Sequence, residues 1–463
     1  MKPKFRERNA IFKRRFQHRI ALLFPSTYRA SISSLGYQII YYYLNSFDDI
    51  YAERVVADGE LPISIETRTP LRKFDLILAS AHYELDYVEI VKLLYRAGLN
   101  PLKEKRAEDP FLIVGGPSIS AWPYPMVKIA DAAFLGEFEA SGEKFVEALQ
   151  YIDKKEKKRF LDSLQEVKGV WLPEKGEREI VRVSDLDRAF HPIQQIQNEN
   201  VEPVWGRSFM LETSRGCSRG CFFCLEAAVS GGRRERSLSI LNQLIEKGVE
   251  ANEVKKVTFF SLSFFDSKTG DELLKRLVEM GIEGSIPSVR AETISEERAE
   301  LIKKIGQRTV AIAPETARQS LRFEIGKMMR DEDIYRALNA LAGQGLSVKL
   351  YYMIGLPNES QDDLGEIASQ IRNAVKIMGN NRKVKVSINP FIPKPGTIMW
   401  KYQMLPLEEL KKRIEYLKGS LRGFVNLEIY DPSEARKQYE INIKGEDAYT
   451  LIVDEAFRRH IED

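Results

Sequence analysis

Three cysteines are the residues whose type and spacing could do chemistry in this chain. Cys217, Cys221 and Cys224 lie within eight residues and are the only cysteines in the sequence of 463 residues. An odd, closely spaced set is a poor framework for disulfides, whereas thiolates this close together usually bind a metal. Gly216 and Gly220 allow the tight backbone that such a loop needs. The segment therefore predicts a metal or cluster site.

The number of thiolates limits the kind of group that the loop could bind. Simple electron carriers hold a 4Fe–4S cluster with four cysteines. With three cysteines, one iron would lack a protein ligand and could bind a small molecule. A structural zinc site takes four nitrogen or sulfur ligands, and a distant histidine could complete one, although none of the four histidines lies beside the loop. Three unrelated thiols, buried as small hydrophobic groups, are a further alternative.

The elements that must position this loop form two stretches in which apolar strands alternate with amphipathic helices. Such alternation predicts a parallel sheet that is covered on both faces. The predicted strands of the second stretch are Phe209–Glu212, Val257–Ser261, Ser285–Pro287, Thr309–Ala313, Ser347–Ile354 and Val384–Ile388. Six β/α units in about 180 residues are too few for a closed eightfold barrel and predict an open one. The cysteine loop follows the first of these strands, at what would be the catalytic face.

The first stretch has the same alternation before a less regular segment. Its predicted strands are Arg19–Phe24, Phe74–Ser80, Phe111–Gly116 and Ala132–Gly136. A hairpin is predicted over Gly169–Val183, and the tail from Leu405 onward has a largely helical, charged pattern.

Composition excludes some classes of protein. Hydrophobic residues make up 43% of the chain and charged residues 30%, yet the net charge is only +3. That balance gives no electrostatic case for nucleic-acid binding. No apolar run approaches the roughly 20 residues of a membrane span, and the basic start lacks the apolar segment of a signal peptide. We expect a cytoplasmic protein.

The cysteine loop carries a resemblance to a known family. Cys217, Cys221 and Cys224, with the aromatic Phe223 before the last cysteine, match the C-x3-C-x-aromatic-C signature of the radical S-adenosylmethionine (SAM) superfamily. The resemblance implies a 4Fe–4S cluster on the three cysteines, with an open iron that chelates SAM. It also implies reductive cleavage of SAM to a 5′-deoxyadenosyl radical, which abstracts hydrogen from an unidentified small-molecule or lipid substrate. An electron donor such as ferredoxin or flavodoxin is implied as a partner.

The resemblance extends to other strand ends of the second stretch. Ser261 and Ser263 stand where many members carry a Gly-Gly-Glu that meets the SAM amino group. Arg290 could pair with the SAM carboxylate, and Glu315 with its ribose or amino group. Gly355 lies in a later strand end that lines the adenine and substrate pocket, and Phe223 is a further cofactor-binding residue. A polar strand end, a solvated arginine and an ordinary acid at a helix start remain alternatives.

The order of the two stretches resembles the subfamily in which a cobalamin-binding-type, Rossmann-like domain precedes the radical SAM barrel. The fold class is then α/β, with a Rossmann-like parallel sheet, a partial (β/α)6 barrel and a helical C-terminal extension. The implied segments are a basic arm at 1–18, a Rossmann-like domain at 19–153, a connector at 154–204, the partial barrel at 205–400 and the extension at 401–463.

The sequence leaves open whether the chain binds cobalamin and which reaction it catalyses. The Asp-x-His-x-x-Gly signature of many corrinoid proteins is absent, and Gly115-Gly116 could either admit a large ligand or make a tight turn. Methyl transfer would follow if cobalamin binds, whereas sulfur insertion is disfavoured because an auxiliary cluster would need more cysteines. The alternative from another class is a non-catalytic iron–sulfur or zinc protein in electron transfer or sensing.

Overall fold

The structure, a computed structural model, describes residues 6–59, 61–267 and 269–462. Contacts divide the chain into two compact units. Unit 1 comprises residues 1–207 and 440–463, and unit 2 comprises residues 208–439. The five sequence-based segments stay predictions. The units differ from them in grouping residues 440–463 with unit 1, and residues 1–5 of the predicted arm lie outside the described part.

Unit 1 is built on a six-stranded sheet. The strands of unit 1, six of them in this sheet, are β1 Glu7–Arg8, β2 His18–Phe24, β3 Ile50–Val56, β4 Leu76–Ser80, β5 Phe111–Gly115, β6 Ala132–Phe134, β7 Val170–Trp171 and β8 Gln197–Asn198. The sheet order is β3-β2-β4-β5-β6-β7, parallel except for β7, while β1 and β8 form a separate antiparallel pair. The predicted hairpin is wrong, because Trp171 pairs with Ala133 and Val181 forms a parallel bridge with Gly136.

Helices cover both faces of this sheet. They are α1 Tyr28–Ser31, α2 Leu35–Asn45, α3 Leu85–Arg96, α4 Pro117–Ala121, α5 Gly142–Ala148 and α6 Lys157–Leu164. Alternate residues of β2 enter two different apolar clusters. Ala21 and Leu23 pack in one cluster, and Ile20 and Leu22 pack in the other. Because successive side chains of a strand point to opposite faces, the sheet is buried on both sides, as predicted.

Unit 2 contains a partial barrel. Its strands are β9 Phe209–Glu212, β10 Ser214–Arg215, β11 Arg234–Glu235, β12 Lys256–Phe260, β13 Glu283–Ser285, β14 Thr309–Glu315, β15 Ser347–Ile354, β16 Val384–Pro390 and β17 Asn426–Ile429. Parallel sheets β13-β12-β9 and β14-β15-β16-β17 are linked by a parallel bridge between Val289 and Ile312. Each of the six predicted barrel strands overlaps an observed strand, although the third, predicted at Ser285–Pro287, is observed at Glu283–Ser285. The predicted fold class is confirmed, with β17 as an additional strand.

The helices of unit 2 surround these strands. They are α7 Leu225–Ser230, α8 Leu238–Asn252, α9 Gly270–Glu279, α10 Glu296–Lys304, α11 Gln319–Glu324, α12 Asp331–Gly343, α13 Gln361–Met378 and α14 Leu407–Leu421. Two further helices follow: α15 Pro432–Lys444 crosses the boundary at residue 439, and α16 Ala448–Glu462 belongs to unit 1. None of the helices in the described ranges is both long and apolar enough to cross a membrane.

Burial along β15 separates the outer and inner faces of the barrel. Leu350, Tyr352 and Ile354 are buried in the apolar core that includes α12 and α13. Tyr351 and Met353, on the opposite face, are only half-buried. The inner face of the strand therefore borders partly accessible space, at the side of the sheet away from the helices.

Candidate functional site

The cysteine loop begins at the carboxyl end of β9, where the sequence places it. Cys217, Cys221 and Cys224 are half-buried, and none forms a disulfide. Cys224 occupies the N-cap position of α7, and its amide donates to the Cys221 carbonyl over 3.1 Å. Burial raises the pKa of the Cys224 thiol, and negative charge at Cys221 and Cys217 adds to that effect. The three thiols therefore share one electrostatic environment.

Gly216 allows the tight backbone turn at the start of the cysteine loop. Its φ is +75°, and a Cβ atom there would lie 2.4 Å from the Gly232 carbonyl oxygen and 2.6 Å from that of Gly231. The Cys217 amide donates to the Gly231 carbonyl over 3.3 Å. Only glycine fits this close approach, so the predicted tight backbone is present at this position.

Segments that follow three different barrel strands hold the aromatic part of the loop. The Phe222 amide donates to the Ile325 carbonyl over 3.0 Å, and its carbonyl accepts from the Met399 amide over 3.1 Å. Phe222 and Phe223 pack on a small apolar cluster. That cluster consists of Leu321 and Ile325 after β14, Leu356 after β15, and Phe391 and Met399 after β16. The loop is thus fixed by the barrel rather than by its own few hydrogen bonds.

Arg290 lies directly against the cysteine loop. Its Nη1 is 3.8 Å from Cys221 Sγ, and its Nε donates to Glu292 Oε1 over 2.5 Å. The Arg290 side chain is only 11% exposed, so it is not a freely solvated arginine. This position next to a cysteine thiol is compatible with the predicted contact to a SAM carboxylate, which stays a prediction.

Ser263 connects the end of β12 to the loop through Asp266. Asp266 accepts hydrogen bonds from Ser263 Oγ over 2.7 Å and from Arg219 Nε over 2.8 Å. Burial alone would raise the pKa of Asp266, but these two donors outweigh it, and the pKa lies below its ordinary value. Ser261 Oγ lies 2.7 Å from Ser214 Oγ. The hydroxyl groups of both serines therefore form hydrogen bonds with residues around the cysteine loop.

Glu315 ends β14 in an unusual conformation. Its φ is +68°, and the register of β14 against β15 shifts between Ile312 and Glu315. The buried carboxylate pairs with Lys327, with 2.7 Å between Oε1 and Nζ. A non-glycine residue in this region is uncommon and clusters at functional sites. The strained strand end supports a functional acid over an ordinary helix-start acid.

Gly355 follows β15 with a φ of +81°. Its amide donates to Glu359 Oε2 over 2.6 Å. Burial raises the pKa of Glu359 to about 7, against the lowering effects of this amide and of Arg413. Because the Gly355 amide is already bonded, the residue contributes the shape of the strand end, and its predicted role in cofactor binding stays untested.

The donor set of the loop fits a cluster with one open iron. Within residues 6–59, 61–267 and 269–462, no three His, Cys, Asp or Glu side chains converge so as to hold a single metal ion. The thiolates of an iron–sulfur cluster bind different irons, so they need not converge. Three free, half-buried thiols on one loop, with no fourth cysteine in the sequence, match that arrangement.

Sequence reasoning missed two charged residues of this region, Arg219 and Lys327. Arg219 binds Asp266, 47 residues further along the chain, and Lys327 binds Glu315. Each residue looks like a solvated surface charge in the sequence. Neither partner is encoded by local spacing, so no sequence signal could have identified these pairs.

Two families match this chain by sequence. Residues 36–173 match "Radical SAM proteins, N-terminal", and residues 211–371 match "Radical SAM superfamily". "Uncharacterized protein MJ0966" of Methanocaldococcus jannaschii is 30% identical over 408 residues, which are 87% of this chain and 83% of that protein. "Uncharacterized methyltransferase PH0819" of Pyrococcus horikoshii is 25% identical over 303 residues, which are 64% of this chain and 63% of that protein.

Two solved structures share the fold. TsrM, a radical SAM methyltransferase from Kitasatospora setae solved with tryptophan substrate and a SAM analog, has a TM-score of 0.57 at 13% identity and covers 96% of this chain and 100% of its own. OxsB, a cobalamin-dependent radical enzyme solved with aqua-cobalamin and SAM, has a TM-score of 0.55 at 15% identity. That match covers 96% of this chain and 61% of OxsB. At these identities the likeness concerns the fold.

Proposed function

Because this chain belongs to the radical SAM superfamily of enzymes, in the subfamily with a cobalamin-binding-type Rossmann-like domain, we propose that its three cysteines hold one 4Fe–4S cluster with an open iron for SAM. When bound, that cluster would supply the electron that cleaves SAM to methionine and a 5′-deoxyadenosyl radical, which would abstract hydrogen from the substrate. The observation that carries the proposal is the set of three free thiols on one loop at the barrel's strand ends. A reducing compartment such as the cytoplasm would keep them free.

The chain's own residues bind and orient SAM in this proposal. The Arg290 fork lies beside Cys221 and is suited to the SAM carboxylate. Glu315 offers a carboxylate to a ribose hydroxyl, while Ser261 and Ser263 border the amino group. Phe222 and Phe223 exclude water from the base of the loop, because both rings pack on the small apolar cluster.

The substrate would enter the inner side of the partial barrel. Along β14, Ala311 and Ala313 are small and half-buried. Tyr351 and Met353 line the same face of the neighbouring strand β15. Small side chains leave room, and an aromatic ring with a polar tip can contact either an apolar or a polar group. These partly accessible side chains support a small-molecule substrate at this face.

The most direct test of this function is formation of 5′-deoxyadenosine. Anaerobically reconstituted protein is mixed with SAM and dithionite, and the products are separated by chromatography. We expect 5′-deoxyadenosine and methionine, with reduced ferredoxin or flavodoxin able to replace dithionite. A loaded cluster that yields neither product would favour the non-catalytic alternative, a protein of electron transfer or sensing.

Cobalamin is proposed as a further cofactor of unit 1, with methyl transfer as the reaction. The order of the sheet reverses between β2 and β4, and such a switch point forms a ligand crevice at the carboxyl ends of the strands. His82 follows β4 and its side chain is 47% exposed there. Cobalamin is named for TsrM and OxsB structures of similar fold. Gly116 is needed for backbone packing, because a Cβ there would lie 2.1 Å from the Ala81 carbonyl oxygen. This close approach favours a tight turn at Gly115-Gly116 over a surface that admits a large ligand.

Cobalamin binding can be measured without turnover. Purified protein is incubated with hydroxocobalamin and passed through a gel-filtration column, and the corrin absorbance of the protein peak is read. We expect about one cobalamin per chain and none on urea-unfolded protein, since the crevice requires the folded sheet. A protein peak without corrin absorbance would contradict cobalamin as a cofactor of unit 1.

A further inference from the structure

Lys327 places a buried positive charge between a barrel strand end and the cysteine loop. Its Nζ lies 2.7 Å from Glu315 Oε1 and 6.0 Å from the centre of the Phe223 ring. The side chain is only 9% exposed, and lysine is almost never buried this far unless it is paired. The ammonium group therefore contacts both the acid proposed to bind SAM and the aromatic residue next to Cys224.

Backbone contacts anchor the segment from which the Lys327 side chain extends. The Lys327 amide donates to the Arg322 carbonyl over 3.0 Å. Gly326, just before it, has a φ of +73°, and a Cβ there would lie 2.7 Å from the Phe222 ring. The segment is thus pressed against the cysteine loop by an approach that only glycine permits. This contact holds the Lys327 main chain beside the cysteine loop, within reach of Glu315.

We infer that Lys327 is a positioning residue for SAM, holding the Glu315 carboxylate in register with the cysteine loop. The inference rests on the proposed function, in which Glu315 accepts from the SAM ribose. Lys327 Nζ donates a hydrogen bond to Glu315 Oε1, and no donor among the described residues is bonded to Glu315 Oε2. The pair therefore leaves one carboxylate oxygen for a ligand and fixes its direction.

The buried setting makes this pair sensitive to change. Removing one partner of a buried ion pair leaves a charge without compensation, which costs far more than losing a surface pair. Without Lys327, Glu315 would turn towards water or another donor and would no longer present Oε2 to SAM. Arginine keeps the charge but spreads it over a planar fork, so it can replace lysine only in part.

The test uses full-length protein with a reconstituted cluster. Lys327→Met, Lys327→Arg and Glu315→Gln are compared with wild type for iron content, sulfide content and the dissociation constant of SAM. Lys304→Met is the control, since Lys304 forms an ion pair of the same 2.7 Å length with Glu300 at the surface. We expect Lys327→Met to keep its cluster and to bind SAM on the order of tenfold more weakly. Lys327→Arg should be intermediate and Lys304→Met unchanged.

A double variant separates positioning from a general structural role. Glu315→Gln with Lys327→Met removes both charges, so a folding defect caused by an unpaired charge is absent. Of the single variants Glu315→Gln and Lys327→Met, one will bind SAM more weakly than the other. We expect the double variant to bind SAM no more weakly than that one, because the two residues act as one unit. Fully additive losses, unchanged SAM affinity in Lys327→Met, or loss of its cluster would each overturn the inference. Failure of the wild type to bind SAM would instead overturn the proposed function.

Discussion

Replacing Cys221 with alanine should abolish cluster binding and, with it, formation of 5′-deoxyadenosine. The loop offers three thiolates and the sequence holds no fourth cysteine to replace one, so two would remain for a group that needs three. We expect iron and sulfide to fall to trace amounts. Turnover should fall by about a thousandfold or more, equivalent to about 4 kcal/mol of transition-state stabilisation.

The control for this variant lies in the same loop. Ser218→Ala changes an exposed residue that carries no thiol, and it should retain both the cluster and turnover. Iron, sulfide and zinc are measured together in each protein. Retention of iron and activity in Cys221→Ala would contradict the assignment, and one zinc per chain with no sulfide would favour the structural-zinc alternative.

Replacing Arg322 with methionine should cause a large loss of stability in unit 2. Its side chain is fully buried. Nη1 donates to the carbonyls of Thr316 and Ala317 over 2.9 and 3.2 Å, and Nε donates to the Met329 carbonyl over 2.9 Å. An ion pair with Asp331 completes the set. One guanidinium group therefore fixes the turn that follows Glu315.

Methionine fills a similar volume but satisfies none of these acceptors. The buried carbonyl acceptors left unpaired should lower the free energy of unfolding of unit 2 by about 3–5 kcal/mol. The Asp331 carboxylate adds little to this loss, because its side chain is 44% exposed and stays solvated. Lysine should not restore it, since a single ammonium cannot reach acceptors on several sides. Hydrogen exchange of the β14–β16 amides reports this free energy for unit 2 alone.

Arg336→Met is the matched control, because Arg336 also pairs with an acid, Asp333, but its side chain is 55% exposed. An exposed pair of this kind contributes at most about 1 kcal/mol. If Arg322→Met lost no more than Arg336→Met, the turn after Glu315 would not depend on the buried guanidinium.

Strand β3 shows why part of the fold could not be predicted from the sequence. Its seven residues are all buried, yet Glu53 and Arg54 interrupt the apolar run. Glu53 pairs with Arg19 over 2.6 Å, and Arg54 pairs with Glu66 over 2.6 Å. These partners come from other segments, so a pattern of buried apolar residues does not reveal a strand whose charges are neutralised in the folded unit.

Strand β17 escaped prediction for a different reason. Asn426–Ile429 is short, alternates exposed and half-buried residues, and lies at the edge of its sheet beside β16. The helical pattern of the flanking segments outweighs four residues with so little apolar character. By contrast, β9 and β15 were predicted at their observed bounds, because their buried faces are continuous or strictly alternating.

The cysteine loop was predictable because its signals are local, whereas its surroundings were not. Cysteine spacing and Gly216 are visible in any reading of the chain. The contact between Arg290 and Cys221 joins residues 69 positions apart, and the sequence did not predict it. Only the resemblance to a family marked Arg290 as a candidate site residue. Lys327 had neither a local signal nor a family motif to mark it.

The central claim is that three cysteines leave one iron of a cluster open to SAM. Its most direct test is the electron paramagnetic resonance spectrum of the reduced, anaerobically reconstituted protein, recorded before and after addition of SAM. The account predicts a 4Fe–4S signal whose shape changes with SAM at a stoichiometry of about one. A signal that SAM leaves unaltered, or a protein that takes up no iron and sulfide, would contradict it.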